Sequence, residues 1–331
     1  MSTHRVNVIE IEKVLPHGNA ERLEIVPVGG WQAVVKKGQF QPGDRAVYIQ
    51  PDYTVPTSRP EFAFLAKEGR DRHRLRAVRL RGSLSFGLLI PVPDDVADAG
   101  IGDCVMERLC VARYEPPVKS FRGGGDGQEL PETEWPNVYA PKFDIESIQN
   151  FIDALTPGEP VVVTEKLHGA NGRYLWHDGK LFIGSHGRWL KPDTVNDWSR
   201  ALTPEMRAWL EANPDTTLFG EVYGPVQSLK YGLAEPRFAA FAALKNDQWL
   251  NLPDLFASLD AASVVRVPIV YSGAFDFEKI KEIAETDSRI GPAGHMMEGI
   301  VITPTVERRD PDFGRVAMKH ISARYWESEA A

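Results

Sequence analysis

Residues 164–173 read TEKLHGANGR and follow the β-branched run Val161-Val162-Val163. The run fits a buried strand that ends in an amine at Lys166. Desolvating a lysine costs free energy, so such a residue either snorkels its head group into water or uses the amine in chemistry. This fragment alone leaves both readings open, and His168 can be read as a turn histidine bonded to backbone.

The chain has 331 residues, 43 % of them hydrophobic, enough for two domains of the usual size. Its longest apolar runs, 85–92 and 263–270, are too short to span a bilayer, and the start MSTHRVNVIE has no apolar secretory segment. A cytoplasmic protein without a membrane partner is expected, working as a monomer. Cys104 and Cys110 are the only cysteines, too few for a disulfide framework or a four-cysteine zinc site. Both are read as ordinary buried thiols. The formal net charge of -8 argues against a general nucleic-acid binder. Locally the balance is reversed: in GRDRHRLRAVRLRG, arginines 70, 72, 74, 76, 79 and 81 surround the single acid Asp71. That stretch is either a phosphate-contacting strip or a solvated strand face.

Short alternating runs fill the first third: RVNVIEIEKV, RLEIVPV, WQAVVKK, DRAVYIQ, HRLRAVRL and FGLLIPV, separated by turn-forming pieces such as GG at 29 and PGD at 42. They predict a compact all-β barrel or sandwich over residues 1–118. The glycine-, proline- and acid-rich piece FRGGGDGQELPETEWPN predicts a flexible linker over 119–140. Residues 141–331 mix helical periodicity, in IESIQNFIDAL, PEMRAWLEAN and FEKIKEIAET, with strand-like runs including GEPVVVTEK, KLFIGSH, TTLFGEVYG, RFAAFAAL, VVRVPIVY, EGIVITP and RVAMKHI. This order lacks the regular strand–helix alternation of a doubly wound sheet and predicts an α+β domain. Neither G-x-G-x-x-G nor a P-loop occurs.

Glu221, Glu298 and Lys319, like Lys166, lie in or beside buried-looking strands. Isolated buried charges are costly and gather near one another or near a metal, so the four are expected to face one pocket. Such a pocket suits attack of a lysine amine on the α-phosphate of a nucleoside triphosphate. The carboxylates would hold Mg2+ or Mn2+ through oxygen, Lys319 would neutralise phosphate charge, and an aromatic such as Phe241 could stack on the base.

Lys166-Leu167-His168-Gly169 resembles the K-x-x-G motif of the covalent nucleotidyltransferases, the superfamily of RNA ligases, DNA ligases and capping enzymes. Further elements follow in the family order: Ser185-His186-Gly187-Arg188, Phe219 to Gly224, Phe238 to Phe241, Glu298 to Val301, and Ala317-Met318-Lys319. The phrases EKLHGAN, VYGPVQSLKYG and PHGNAERLEIV resemble ATP-dependent RNA ligases that carry an amino-terminal OB domain and seal nicks with an RNA 3′-OH end. The resemblance implies an OB-type β-barrel followed by a nucleotidyltransferase (ATP-grasp-like ligase) domain of antiparallel sheets and helices. It implies ATP as the adenylyl donor, Lys166 as the adenylated nucleophile, Glu221 and Glu298 near the metal or ribose, and Lys319 on the α-phosphate. Glu165, Asn171 and Arg188 become nucleotide contacts, and Phe241 the adenine platform. The substrate would be nicked duplex nucleic acid met by Arg72, Arg74 and Arg76, and the setting RNA repair. An RNA-binding OB protein without ligase activity and a capping-type guanylyltransferase are the alternatives.

Overall fold

The computed structural model describes residues 5–114, 128–191 and 193–330. They fall into two compact units.

The front unit is all-β. Three three-stranded sheets are built from Asn7–Glu10, Arg45–Ile49 and Leu88–Pro91; from Leu15–Pro16, Leu23–Val28 and Trp31–Lys36; and from Ala112–Arg113, Tyr53–Pro56 and Arg72–Arg74. Ala77–Leu80 and Ser83–Phe86 form a further hairpin. The strand Arg45–Ile49 explains why AVYI is apolar without a break. Val47 and Ile49 point into one core with Val8, Val55 and Phe62, while Ala46 and Tyr48 point into another with Val26, Trp31 and Val35. A strand buried on both faces needs apolar residues at both parities. The Tyr48 hydroxyl is satisfied by donating to the Phe86 carbonyl at 2.9 Å.

This unit is larger in sequence than residues 1–118, because it also takes in residues 148–152 and the carboxy-terminal helix Ala323–Ala330. Trp31 Nε1 donates to Asn150 Oδ1 at 2.8 Å, and the Gly30 N–H donates to the Gln149 carbonyl at 3.1 Å. A side chain at Gly30 would put its Cβ 2.7 Å from Gln149 Cα, so only glycine allows this approach. The segment 145–155 accordingly departs from the expected helix. Glu146–Ser147 is a strand parallel to Met318–Ile321, and 3-10 turns at Ile148–Asn150 and Ile152–Ala154 follow. Residues 148–152 belong to the front unit, whereas 145–147 and 153–155 belong to the other.

The second unit, residues 128–147 and 153–322, holds two sheets. The six-stranded antiparallel sheet runs Trp189–Leu190, Lys180–Ser185, Gly169–His177, Thr216–Tyr223, Arg237–Lys245, Gln248–Trp249. The five-stranded sheet runs Glu146–Ser147, Met318–Ile321, Gly299–Pro304, Pro160–Lys166, Ile269–Ala274. The core joins Val162 and Leu167 to Tyr174, Leu218, Val222, Phe238 and the helices Pro204–Ala212 and Leu252–Ala261. The helices expected at PEMRAWLEAN and FEKIKEIAET form at Pro204–Ala212 and Phe277–Ala284, capped by Thr203 and Asp276 side chains. Leu252–Ala261 was not expected, and in VVRVPIVY only the part from Ile269 becomes strand.

Two further expectations change. Of the linker over 119–140, residues 119–127 lie outside the described residues, and 128–140 belong to the second unit. There Leu130 is buried with Leu175 and Trp189, and its N–H donates to the Trp189 carbonyl at 2.8 Å. Cys104 and Cys110 are exposed rather than buried, because Val105, Leu109 and Val111 take the inward positions around them. No helix among the described residues is long and apolar enough to cross a membrane.

The contact at Gly30 is directly testable. Gly30→Ala should lower stability by about 1–3 kcal/mol through forced displacement of the 148–152 segment. Denaturant unfolding with an unchanged midpoint would show that this segment is not fixed there.

Candidate active site

The strand Pro160–Lys166 pairs antiparallel with Gly299–Pro304, and the register sets Lys166 opposite Gly299. The residue before Gly299 is therefore delivered to the end of the lysine strand. Lys166 Nζ donates to Glu298 Oε1 at 2.7 Å. Gly299 permits the close strand packing: a Cβ there would stand 2.2 Å from the His320 carbonyl oxygen. Gly169, the glycine of K-x-x-G, has the same constraint on the other sheet, with the Val222 carbonyl oxygen 2.2 Å from its would-be Cβ. The strand Gly169–His177 can thus pair with Thr216–Tyr223 from its first residue, and this register places Asn171 directly across from Glu221.

Electrostatics divides the two glutamates. Burial opposes ionisation of Glu298, but the Lys166 charge and His168 outweigh it and hold the carboxyl down at about 2. Burial of Glu221 dominates instead; Lys166 opposes it, the Glu298 charge adds to it, and the carboxyl is pushed up to about 8. Two carboxyls sharing one lysine separate into an ionised one and a protonated one. Two buried oxygens here accept no hydrogen bond among the described residues, Glu298 Oε2 and Asn171 Oδ1.

His168 is more than a turn residue. Its backbone N–H does donate to the Tyr231 hydroxyl at 2.7 Å, but its ring lies between Glu298 Oε2, 3.4 Å from Nδ1, and Ser228 Oγ, 3.0 Å from Nε2. Tyr231, at φ +53°, stacks on His295 with ring centroids 4.6 Å apart. Ser228 and His295 were missed by sequence reasoning. Ser228 lies inside VQSLKYG, whereas His295 carries no local signal.

The remaining candidates are distributed around this cluster. Strand alternation turns Glu165 to the face opposite Lys166, where it is buried and accepts from Ser288 Oγ at 2.5 Å and the Arg289 N–H at 2.8 Å. Burial raises its carboxyl despite those bonds. The Lys319 row runs through Val301 to Thr164, so Lys319 shares the Lys166 face of the five-stranded sheet. Phe241 is the extra residue of a bulge opposite Phe219 and Gly220. Its ring meets Phe143 at 4.5 Å, in a cluster with Phe219 and Trp249, and the Arg315 guanidinium lies 4.2 Å over Trp249. Arg188 is half-buried at a turn whose carbonyl accepts from the Ser185 N–H at 2.9 Å.

The front-unit arginines have internal partners. Arg72 donates to the Thr54 and Cys110 carbonyls, each at 2.8 Å. Arg74 pairs with Asp52 at 2.6 Å, lies 4.0 Å over the Tyr114 ring and reaches Glu329 at 3.6 Å. Arg76 makes no side-chain hydrogen bond or ion pair among the described residues.

This arrangement is that of a covalent nucleotidyltransferase. Residues 159–321 match the RNA ligase family model, and residues 5–92 match the model of an OB-fold domain. The chain carries an RNA ligase domain with an OB-fold domain in front of it. No curated protein matches it in sequence. Among solved structures it is similar to an RNA ligase variant of Naegleria gruberi with ATP and Mn, at 26 % identity and a TM-score of 0.85, covering 98 % of this chain and 99 % of that one. A second variant of that ligase, with AMP and Mn, matches at 26 % identity and a TM-score of 0.83, covering 98 % of each chain. The same ligase with pyrophosphate matches at 26 % and 0.81, again over 98 % of each chain.

The split between the glutamates predicts opposite pH effects. Glu221, raised from 4.5 to about 8, keeps its proton on folding. Its contribution to stability is therefore full below pH 4.5 and falls as pH rises toward 8. Glu298, lowered from 4.5 to about 2, stabilises above pH 4.5 and loses that contribution as pH falls toward 2. Glu221→Gln should raise the ligand-free melting temperature more at pH 8 than at pH 5. Equal shifts at both would contradict a protonated Glu221.

Proposed function

We propose that the chain joins RNA through a covalent intermediate on Lys166 and seals nicks whose 3′-OH end is RNA, in RNA repair. The observation that carries this reading is the 2.7 Å pair of Lys166 and Glu298 beside Glu221, at the end of a strand whose next glycine is required by packing. The enzyme is an ATP-dependent RNA ligase that forms phosphodiester bonds with release of pyrophosphate and AMP. The Lys166 amine, once its ammonium has given up a proton to solvent, attacks the α-phosphorus of ATP; the P–N bond forms as the bond from that phosphorus to the bridging oxygen breaks, and pyrophosphate leaves. The AMP then passes to a 5′-phosphate, freeing the lysine, and the 3′-OH displaces AMP to close the phosphodiester.

A carboxyl held at about 2 is a poor proton acceptor, so Glu298 orients the amine rather than deprotonating it. Lys319, on the same sheet face, brings positive charge toward the phosphates. Phe241 stacks on adenine, Arg188 contacts phosphate, and Glu165 fixes the loop at Ser288 and Arg289 beside the base. Oxygen donors from Glu221, Glu298 and Asn171 suit a hard divalent cation, and the two acceptors without hydrogen bonds fit that use. Bound Mg2+ or Mn2+ supplies neutralisation of the triphosphate charge.

The test is labelling with α-32P-ATP and Mg2+ or Mn2+. Wild type should retain label after denaturation, stable to alkali and released by acid, as a phosphoramidate requires. Lys166→Ala removes the nucleophile but leaves Glu298 without its cation, which can cost about 3–5 kcal/mol in a buried pair. Lys166→Arg keeps the charge, so it should fold like wild type and take no label. Labelling of either variant at the wild-type level would refute the assignment. GTP labelling in preference to ATP would point to a capping-type enzyme. Nicks ending in a ribonucleotide 3′-OH should seal at least tenfold faster than all-DNA nicks, a difference of about 1.4 kcal/mol at the transition state.

A further inference from the structure

The arginine-rich stretch of the front unit does not present its cations evenly. Arg72 and Arg74 are held by internal partners, and Arg79 pairs with Glu327 of the carboxy-terminal helix. A phosphate would have to displace each of those contacts. Lys67, Arg70 and Arg76 are different: their side chains make no hydrogen bond or ion pair among the described residues. The backbone gathers the first two, since residues 67–70 close a turn in which the Arg70 N–H donates to the Lys67 carbonyl at 3.1 Å. Burial, and after it the positive fields of Lys67, Arg70 and Arg76, lower the pKa of the half-buried His73, so all three cations act on that one ring. The acids within the stretch are Glu68 and Asp71, both exposed.

Three residues before Lys67 an aromatic ring is turned outward. In the 3-10 turn Pro60–Leu65, Phe62 is fully buried in the core and Leu65 packs against it, whereas Phe64 is 69 % exposed. The turn is anchored from below by Phe62 and at its start by Arg59, which pairs with Glu61 at 3.0 Å and Asp95 at 2.9 Å. An exposed ring on an anchored turn, three residues before the first free cation, is the composition of a nucleic-acid contact: charges for the backbone and a π-face for a base or ribose.

We propose that Phe64, Lys67, Arg70 and Arg76 form the nucleic-acid face of the front unit, with the three cations on the phosphate backbone and Phe64 stacking on a base or ribose of the RNA. This rests on the proposed RNA-sealing activity and takes the front unit as the part that holds the RNA, with the contact on these four residues instead of on Arg72 and Arg74.

The experiment measures binding of a nicked duplex with an RNA 3′-OH end by full-length protein at several salt concentrations, alongside Lys166 adenylation and sealing. The triple variant Lys67→Gln, Arg70→Gln, Arg76→Gln should reduce the slope of log K against log salt by about 2–3, as expected for loss of three phosphate contacts. It should cripple sealing and leave adenylation within about twofold, since adenylation involves no nucleic acid. Phe64→Ala should weaken binding about tenfold, with Phe64→Trp restoring it. Arg72→Gln, whose guanidinium is held internally, should leave the slope unchanged. A slope lowered by Arg72→Gln but not by the triple variant would overturn this face and leave the front-unit reading standing. A slope moved by neither would overturn both, and equal loss of adenylation in the triple variant would mark these residues as structural.

Discussion

The ion pair between Lys166 and Glu298 is the constraint around which the ligase domain is arranged. A lysine at the end of a buried strand either reaches water or meets a carboxylate; Lys166 meets Glu298, and a 2.7 Å contact between partners 132 residues apart requires the two strands to end in register. That demand accounts for Gly299, whose missing Cβ lets the third strand close beside it. Desolvation and attraction are both large at such a site, and the depressed Glu298 carboxyl shows attraction winning there, whereas the raised Glu221 carboxyl shows desolvation winning a short distance away.

Around that pair the carboxyls are unequal: burial pushes Glu221 toward its protonated form, Lys166 holds Glu298 ionised, and the Asn171 oxygen on the strand across from Glu221 accepts no hydrogen bond among the described residues. His168 belongs to the same economy of charge: its ring spans Glu298 and Ser228 while its backbone is tied to Tyr231. The K-x-x-G turn is thereby held at three points, by Glu298, Ser228 and Tyr231.

The front unit follows a different logic. Its small sheets enclose two clusters of buried apolar residues, and it takes in residues 148–152 and the last helix of the chain. Several of its arginines are drawn into ion pairs there, Arg79 onto Glu327 and Arg74 onto Glu329 as well as Asp52. A dense run of arginines in sequence is thus a mixture of structural and available charge, and only partners in space separate the two.

Much of the arrangement was legible in the chain itself. Lys166 at a strand end, Gly169 three residues on, Glu298 before Gly-Ile-Val and the alternation around Glu221 are local patterns, and the strands that carry them bring Lys166 to Glu298 and set Asn171 across from Glu221. The all-β front and the mixed second half were legible for the same reason, since periodicity reports burial on one face. What periodicity cannot report is which body supplies that face. The segment 145–155 has helical spacing yet serves two units, Leu130 lies in a stretch that reads as linker, and Cys104 and Cys110 point outward because valine and leucine neighbours hold the inward positions. Only the tertiary structure turned Glu165 away from Lys166, brought Ser228 to His168 and His295 to Tyr231, and bound Arg72 and Arg74 to internal partners. Those choices depend on strand register and on contacts between residues far apart in sequence, where a shift of one residue reverses every side chain, and no local pattern encodes that register.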